Sequence, residues 1–314
     1  MSRTVSGLWL VLTLLLVPLA VGCADSPAPG ADKTFAGKHP IRVVCTTGMV
    51  ADLVRNVGGE HVQVTALMKA GVDPHLYQAS PGDIVLLNGA DAIFYSGLHL
   101  EGRMTDVLES MGNRKPAVAV ASAIPADQVL HDESGAHDPH LWFDVALWSQ
   151  AANAIRDSLC AFDSPHAEDY RANTEKYQER LARLHEETKA AIEAVPEDHR
   201  VMVTAHDAFR YFGRAYKVDV RGIQGISTDS EAGVKKINEL VNFLVERKIK
   251  AVFVETSVSN ENVRALLEGC DAKGHNVVIG GELFSDAMGA EGTPEGTYEG
   301  MIRHNVNTIV KALK

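Results

Sequence analysis

One short phrase occurs twice in this chain: Asp73-Pro74-His75-Leu76-Tyr77 and Asp138-Pro139-His140-Leu141-Trp142. Each copy mounts a histidine directly after a proline. Proline fixes its own φ and restricts the residue before it, so the backbone leading into each imidazole is stiff. A stiff mount suits a metal ligand, because coordination geometry tolerates only small errors. One such phrase reads as a turn that happens to contain histidine. Two copies, each followed by leucine and an aromatic ring, read as a pair of ligands. Two further segments could complete a site. Val203-Thr204-Ala205-His206-Asp207-Ala208-Phe209 leaves a predicted strand and places His206 where open α/β sheets hold their ligands. Taken alone, His206 is as readily a helix-start residue with Asp207 as cap. Gly280-Gly281-Glu282-Leu283-Phe284-Ser285-Asp286 follows the last predicted strand. Its glycines let the backbone turn sharply, and it offers two carboxylates, Glu282 and Asp286, between which the residues alone do not choose.

The elements that must position these groups alternate between short β-rich runs and helical stretches. Strands are expected at Ile41–Cys45, Val62–Leu67, Ala92–Tyr95 and Ala117–Val120, and again at Val201–Thr204, Val218–Val220, Ala251–Val254 and Asn276–Ile279. They are Val/Ile-rich and do not alternate, as strands buried on both faces of a sheet should be. Helices are expected at Met49–Val57 and Lys235–Lys248, the second preceded by Thr228-Asp229-Ser230-Glu231, a capping-box spacing. The pattern predicts an α/β protein of two lobes, each a small, mostly parallel sheet flanked by helices. Between them, residues 165–195 contain no glycine and no internal proline. Tyr170, Thr174, Tyr177, Leu181, Leu184, Thr188, Ala191 and Val195 recur in steps of four and three, which predicts one long rigid helix joining the lobes. The N-terminal lobe is read as 40–163, the linking helix as 164–197 and the C-terminal lobe as 198–314. Ligands drawn from both sides of the helix place the metal between two independently folded lobes.

Residues 1–22 read as a signal peptide. An apolar run from Leu8 to Ala20 is broken only by Thr13 and Pro18, too short for a comfortable membrane span. It ends in Leu19-Ala20-Val21-Gly22-Cys23, which resembles a lipobox with Cys23 as the lipidated mature N-terminus. Residues 23–39, rich in small residues, proline and glycine, read as a flexible tether. The formal net charge is −11, and becomes −12 once the leader and its single arginine are removed. Such an acidic balance argues against nucleic acid or an anionic membrane surface as partner. Cys45, Cys160 and Cys270 show no Cys-x-x-Cys spacing and read as buried small residues; whether Cys160 and Cys270 pair is left open.

Taken together, the two Asp-Pro-His phrases, Thr-Ala-His-Asp-Ala-Phe and Gly-Gly-Glu-Leu-Phe-Ser-Asp resemble the zinc/manganese solute-binding lipoproteins of ABC importers, in the TroA-like branch. The resemblance runs from about Pro40 to the C-terminus. It implies two α/β lobes joined by a rigid helix, metal in the cleft, and His75, His140, His206 and Asp286 as its ligands, with Glu282 in a supporting role. It also implies a monomer, lipid-anchored outside the cytoplasm in the periplasm or at the cell surface, whose partner is a membrane permease. Three neutral imidazoles and one carboxylate suit tetrahedral Zn²⁺ and tolerate Mn²⁺. Relatives with glutamate at the third histidine look manganese-specific, so His206 tilts the expectation to zinc first, manganese second. The long His-rich loop of some zinc importers is absent, leaving His131 and His137 as exposed loop histidines. His99, His166 and His304 carry no motif and are expected at the surface or as satisfied core residues. The rival classes are a zinc metalloenzyme and a surface adhesin. No His-Glu-x-x-His, Gly-x-Ser-x-Gly or phosphate-loop pattern is present, and four protein ligands leave no place for a catalytic water.

Overall fold

The computed structural model describes residues 1, 34–132 and 134–314, so the expected leader, Cys23 and most of the tether lie outside the described residues. In the N-terminal half, β1 (Ile41–Cys45), β2 (Val62–Ala66), β3 (Ala92–Tyr95) and β4 (Ala117–Ala119) form one parallel sheet in the order β2-β1-β3-β4. The register runs from Ile41 opposite Val62 to Cys45 opposite Ala66. In the C-terminal half, β5 (Val201–Thr204) pairs in parallel with β6 (Asp219–Gly222), and β7 (Ala251–Glu255) with β8 (Val278–Leu283). β5 packs beside β7. The helices are α1 (Gly48–Gly58), α2 (Pro81–Gly89), α3 (Thr105–Gly112), α4 (Val145–Phe162), α5 (Ala167–Glu193), α6 (Arg210–Tyr216), α7 (Val234–Arg247), α8 (Glu261–Asp271) and α9 (Tyr298–Leu313).

The mixed α/β architecture with small parallel sheets and one long helix is as the sequence predicts. α1 starts where Thr47 accepts from the Val50 N–H, satisfying a donor that the helix cannot. The long helix, α5, buries Tyr170, Thr174, Tyr177, Leu181, Leu184 and Thr188, then Ile192 rather than Ala191. A helix turning at 3.6 residues drifts off a strict four-three repeat, and the last turn shows it.

Two local expectations give way to tertiary structure. The capping box does not form: α7 begins at Val234 with Gly233 as its uncapped N-cap, and Thr228 instead donates its hydroxyl to Asp73 Oδ2 at 2.6 Å. Gly280 and Gly281 do not end the strand but lie inside β8, where pairing with β7 slips a register step. Helix α9 packs so close that a Cβ on Gly280 would meet Ala312 Cβ at 2.8 Å, the close backbone approach that a strand glycine permits. Each half has an apolar cluster of its own, Val44 to Met111 in the N-terminal half and Val203 to Val277 in the C-terminal half, and a third cluster spans both. The third runs from Ile41 and Val43 through Trp142, Trp148 and Leu181 to Phe253, Leu283 and Leu313. Packing through α4, α5 and α9 therefore joins the two halves. Among the described residues the cysteines are unpaired, with Cys45 and Cys270 buried, and no helix is long and apolar enough to cross a membrane.

Candidate metal centre

The C-terminal ends of the parallel strands point into one cleft. His75 lies in the loop beyond β2, His140 just before the turn into α4, His206 two residues past β5, and Asp286 three residues past β8. Each offers one ligand atom, and all four atoms fall within 4.8 Å of one another. His140 Nε2 is 3.3 Å from both His75 Nε2 and His206 Nε2. Asp286 Oδ2 is 3.2 Å from His206 Nε2 and 3.6 Å from His75 Nε2, and Asp286 Oδ1 is 3.3 Å from His140 Nε2. A tetrahedron with zinc–ligand bonds of about 2.05 Å has edges of about 3.3 Å. With Asp286 Oδ2 as the fourth vertex, four of its six edges are thus present to within a few tenths of an ångström, and Oδ1 takes the edge to His140. All four residues are buried, His75 keeping a slight opening. No N–H is aligned on either Asp286 oxygen, so a buried carboxylate faces the imidazoles with its acceptor capacity unspent. That arrangement is costly unless a cation meets it.

Each ring is aimed differently. Asp138 Oδ1 accepts from the His140 backbone N–H at 3.1 Å and lies 2.8 Å from its ring Nδ1. Glu255, closing β7, takes the His206 backbone N–H at 2.9 Å and lies 2.5 Å from its Nδ1. A carboxylate on Nδ1 fixes the ring and presents Nε2 to a metal. Asp73 takes only the backbone N–H of His75, at 2.8 Å. Asp286 is held from behind: Asn305 accepts from the Phe284 N–H at 2.9 Å and donates to its carbonyl at 2.7 Å. The Trp142 indole N–H donates to the Ser285 carbonyl at 3.0 Å.

Burial, opposed by Asp286, lowers the His75 pKa to about 4. Burial works the same way on His140, but the hydrogen bond with Asp138 and the nearby charge of Asp286 outweigh it and raise the value to about 9. His206 is buried too, yet Glu255 and Asp286 hold its pKa well above the ordinary histidine range. Against burial, the two imidazoles keep Asp286 well below the usual carboxylate range. The site therefore carries protons that a metal must displace.

The structure brings His75, His140, His206 and Asp286 together and leaves Glu282 exposed. His131 and His137 are exposed, bridged to each other with ring centroids 4.5 Å apart. Glu255 was not singled out by sequence; its one signal is a lone acid ending the apolar strand Ala251-Val252-Phe253-Val254. A second trio, His39, His61 and His166, also converges, although the sequence expected His166 only at the surface or as a satisfied core residue.

The family model for the periplasmic zinc-uptake complex component A, ZnuA, matches residues 43–312. The chain belongs to this family. It is 50% identical over 295 residues to the manganese-binding lipoprotein MntA of Bacillus subtilis, covering 93% of this chain and 94% of that protein. It is 47% identical over 284 residues to the zinc-binding protein TroA of Treponema pallidum, covering 90% and 92%. The solved structure of periplasmic zinc-binding TroA from Treponema pallidum superposes with a TM-score of 0.85 at 46% identity, covering 88% of this chain and 99% of that one.

Proposed function

We propose that this chain is the extracytoplasmic substrate-binding component of a metal ABC importer, taking Zn²⁺ as cargo through His75, His140, His206 and Asp286 and handing it to a membrane permease. The observation that carries this is the set of near-tetrahedral ligand spacings around a buried, unpartnered carboxylate. Three imidazoles favour zinc, while a carboxylate facing the rings through both oxygens accommodates Mn²⁺ as second choice. The relatives' names point to both metals. A cavity of about 640 Å³, lined by Thr47, Arg55, Lys69, Met288 and Glu291 among others, borders Asp286. Four protein ligands fill the coordination sphere, which supports a carrier rather than a hydrolase, since a catalytic zinc keeps a position for water.

The organisation proposed is a leader over 1–22, a tether over 23–39 anchored through lipid on Cys23, lobes over 40–163 and 198–314, and a linking helix over 164–197, acting as a monomer. A lipoprotein name for relatives such as MntA supports the anchor. Elemental analysis of protein purified without added metal, with zinc and manganese titrations of the stripped form, tests the function. One tightly held ion per chain, lost in His140→Ala, is expected; protein that holds neither metal sinks the reading. Cys23→Ala should appear in the soluble fraction, and retention in membranes without detergent would refute the anchor.

A further inference from the structure

We propose that His39, His61 and His166 form a second zinc site, solvent-open and separate from the cleft. The three come from distant parts of the chain: just before β1, at the end of a short 3-10 turn after α1, and in the turn between α4 and α5. Each presents a ring nitrogen, all within 4.8 Å of one another. Ring centroids lie 4.2 Å apart for His61–His166, 4.6 Å for His39–His166 and 5.8 Å for His39–His61.

The flanking acids give the trio more than the character of a histidine stack. Asp169 Oδ2 lies 3.0 Å from His61 Nε2. Asp163 Oδ2 lies 2.8 Å from His166 Nδ1 and 3.6 Å from His39 Nε2. Asp163 is itself buried and accepts from the Tyr170 hydroxyl at 2.6 Å. On His61 and His166 a carboxylate on one ring nitrogen fixes the imidazole and raises its basicity toward a metal on the other; His39 Nδ1 faces the His61 carbonyl oxygen at 3.5 Å, a contact that zinc would replace. The mount is packed as well: Phe35 meets His39 edge-on and donates its N–H to the Phe162 carbonyl at 2.5 Å. The side chains stay 35%, 15% and 32% exposed for His39, His61 and His166, leaving water a fourth position.

Topology separates this site from the cleft. His61 adjoins Val62, which pairs with Ile41 at the start of β1, whereas the cleft lies beyond Cys45 at its end. Five residues of strand put about 15 Å between these edges of the sheet. The chemistry differs too. Three imidazoles with no carboxylate in the ligand set suit zinc and hold manganese poorly. Zinc here would pin the segment before β1 to the turn leading into α5.

Calorimetric titration of the untagged, metal-stripped chain tests this. Zinc should bind in two steps, a tight one and one at least about tenfold weaker, reaching two ions per chain, while manganese should reach one. His61→Ala/His166→Ala should abolish the weak zinc step and leave the tight step unchanged, which also shows that the variant is folded. His140→Ala should do the reverse, so failure of the cleft reading leaves this one testable. A single zinc per wild-type chain, or a weak step that survives the double substitution, overturns the proposal.

Discussion

The two Asp-Pro-His phrases share their sequence and differ in use. In the second, Asp138 grips both the backbone and the ring of His140, and the histidine is sealed in the core. In the first, Asp73 grips only the backbone of His75, and its other oxygen receives Thr228 from the opposite half of the molecule. Among the described residues no carboxylate holds Nδ1 of the His75 ring. Burial keeps His75 neutral to about pH 4, whereas His140 holds a proton to about pH 9 in the metal-free site. One aspartate thus builds a fixed ligand. The other ties the loop that carries His75 across the cleft to Thr228, so His75 is predicted to be the ligand whose position depends on closure. The cluster shared by the two halves predicts that closure is a small rocking movement.

The largest effect should come from the ligands themselves. His140→Ala should cost zinc affinity more than the roughly 10- to 100-fold lost with an outer partner, and more than His75→Ala does. Equal losses in titration would break the distinction between fixed and closing ligands. Zinc at 100 times its Kd should also stabilise the protein by about 2.7 kcal/mol, seen as a raised Tm. The part of that shift due to the cleft should vanish in His140→Ala.

The aspartates sharpen the comparison. Asp138→Asn should weaken zinc binding by roughly 10- to 100-fold, because the ring loses its orienting acceptor. Asp73→Asn, which touches no ring, should cost less than about tenfold by the same rule. If the two substitutions are equivalent by calorimetry, the asymmetry has no energetic content.

Acid should weaken binding, chiefly through His140 and His206. Both imidazoles must lose a proton to ligate, and both have raised pKa values, so zinc should release protons at neutral pH. Titration in buffers of different ionisation enthalpy measures the number. His75→Ala should leave it unchanged, since His75 is already neutral there. The sign for the metal-free protein follows from the same shift. His140 is raised from about 6.5 in the unfolded chain to about 9. Its stabilisation is full below the first value and is lost as pH rises through the second. A metal-free protein whose Tm does not fall over that window would contradict the assignment. The smallest effect belongs to Thr228→Val, which removes the tie to Asp73. Zinc dissociation should quicken only a few-fold, since one hydrogen bond contributes about 1 kcal/mol; an unchanged stopped-flow rate would show that Thr228 takes no part in closure.

Much was legible because it is local. Repeated Asp-Pro-His marks a stiff mount within three residues, and short Val/Ile runs mark buried parallel strands. The seam of α5 could be read because helical spacing repeats along one segment, and only its last turn departed, at Ile192. Glu255 was missed because its target, the His206 ring, lies 49 positions away. The trio of His39, His61 and His166 was missed for the same reason: no local spacing joins residues that meet only after the sheet and α5 have packed.

The sequence by itself determined the donor types, the strand and helix pattern, and two histidines each set behind a stiffening proline. Tertiary structure decided which acid completes the centre. The register slip in β8 and the packing of Gly280 against α9, with Asn305 and Trp142 gripping the following backbone, bury Asp286 against the rings and leave Glu282 in solvent. Tertiary structure also split the roles of Asp73 and Asp138 and added, to the apolar cluster in each half, one that spans both. The physical reason is common to all three. Which face a side chain presents, and what it meets there, is set by strand register and helix packing between segments far apart in the chain, and spacing along the chain records neither.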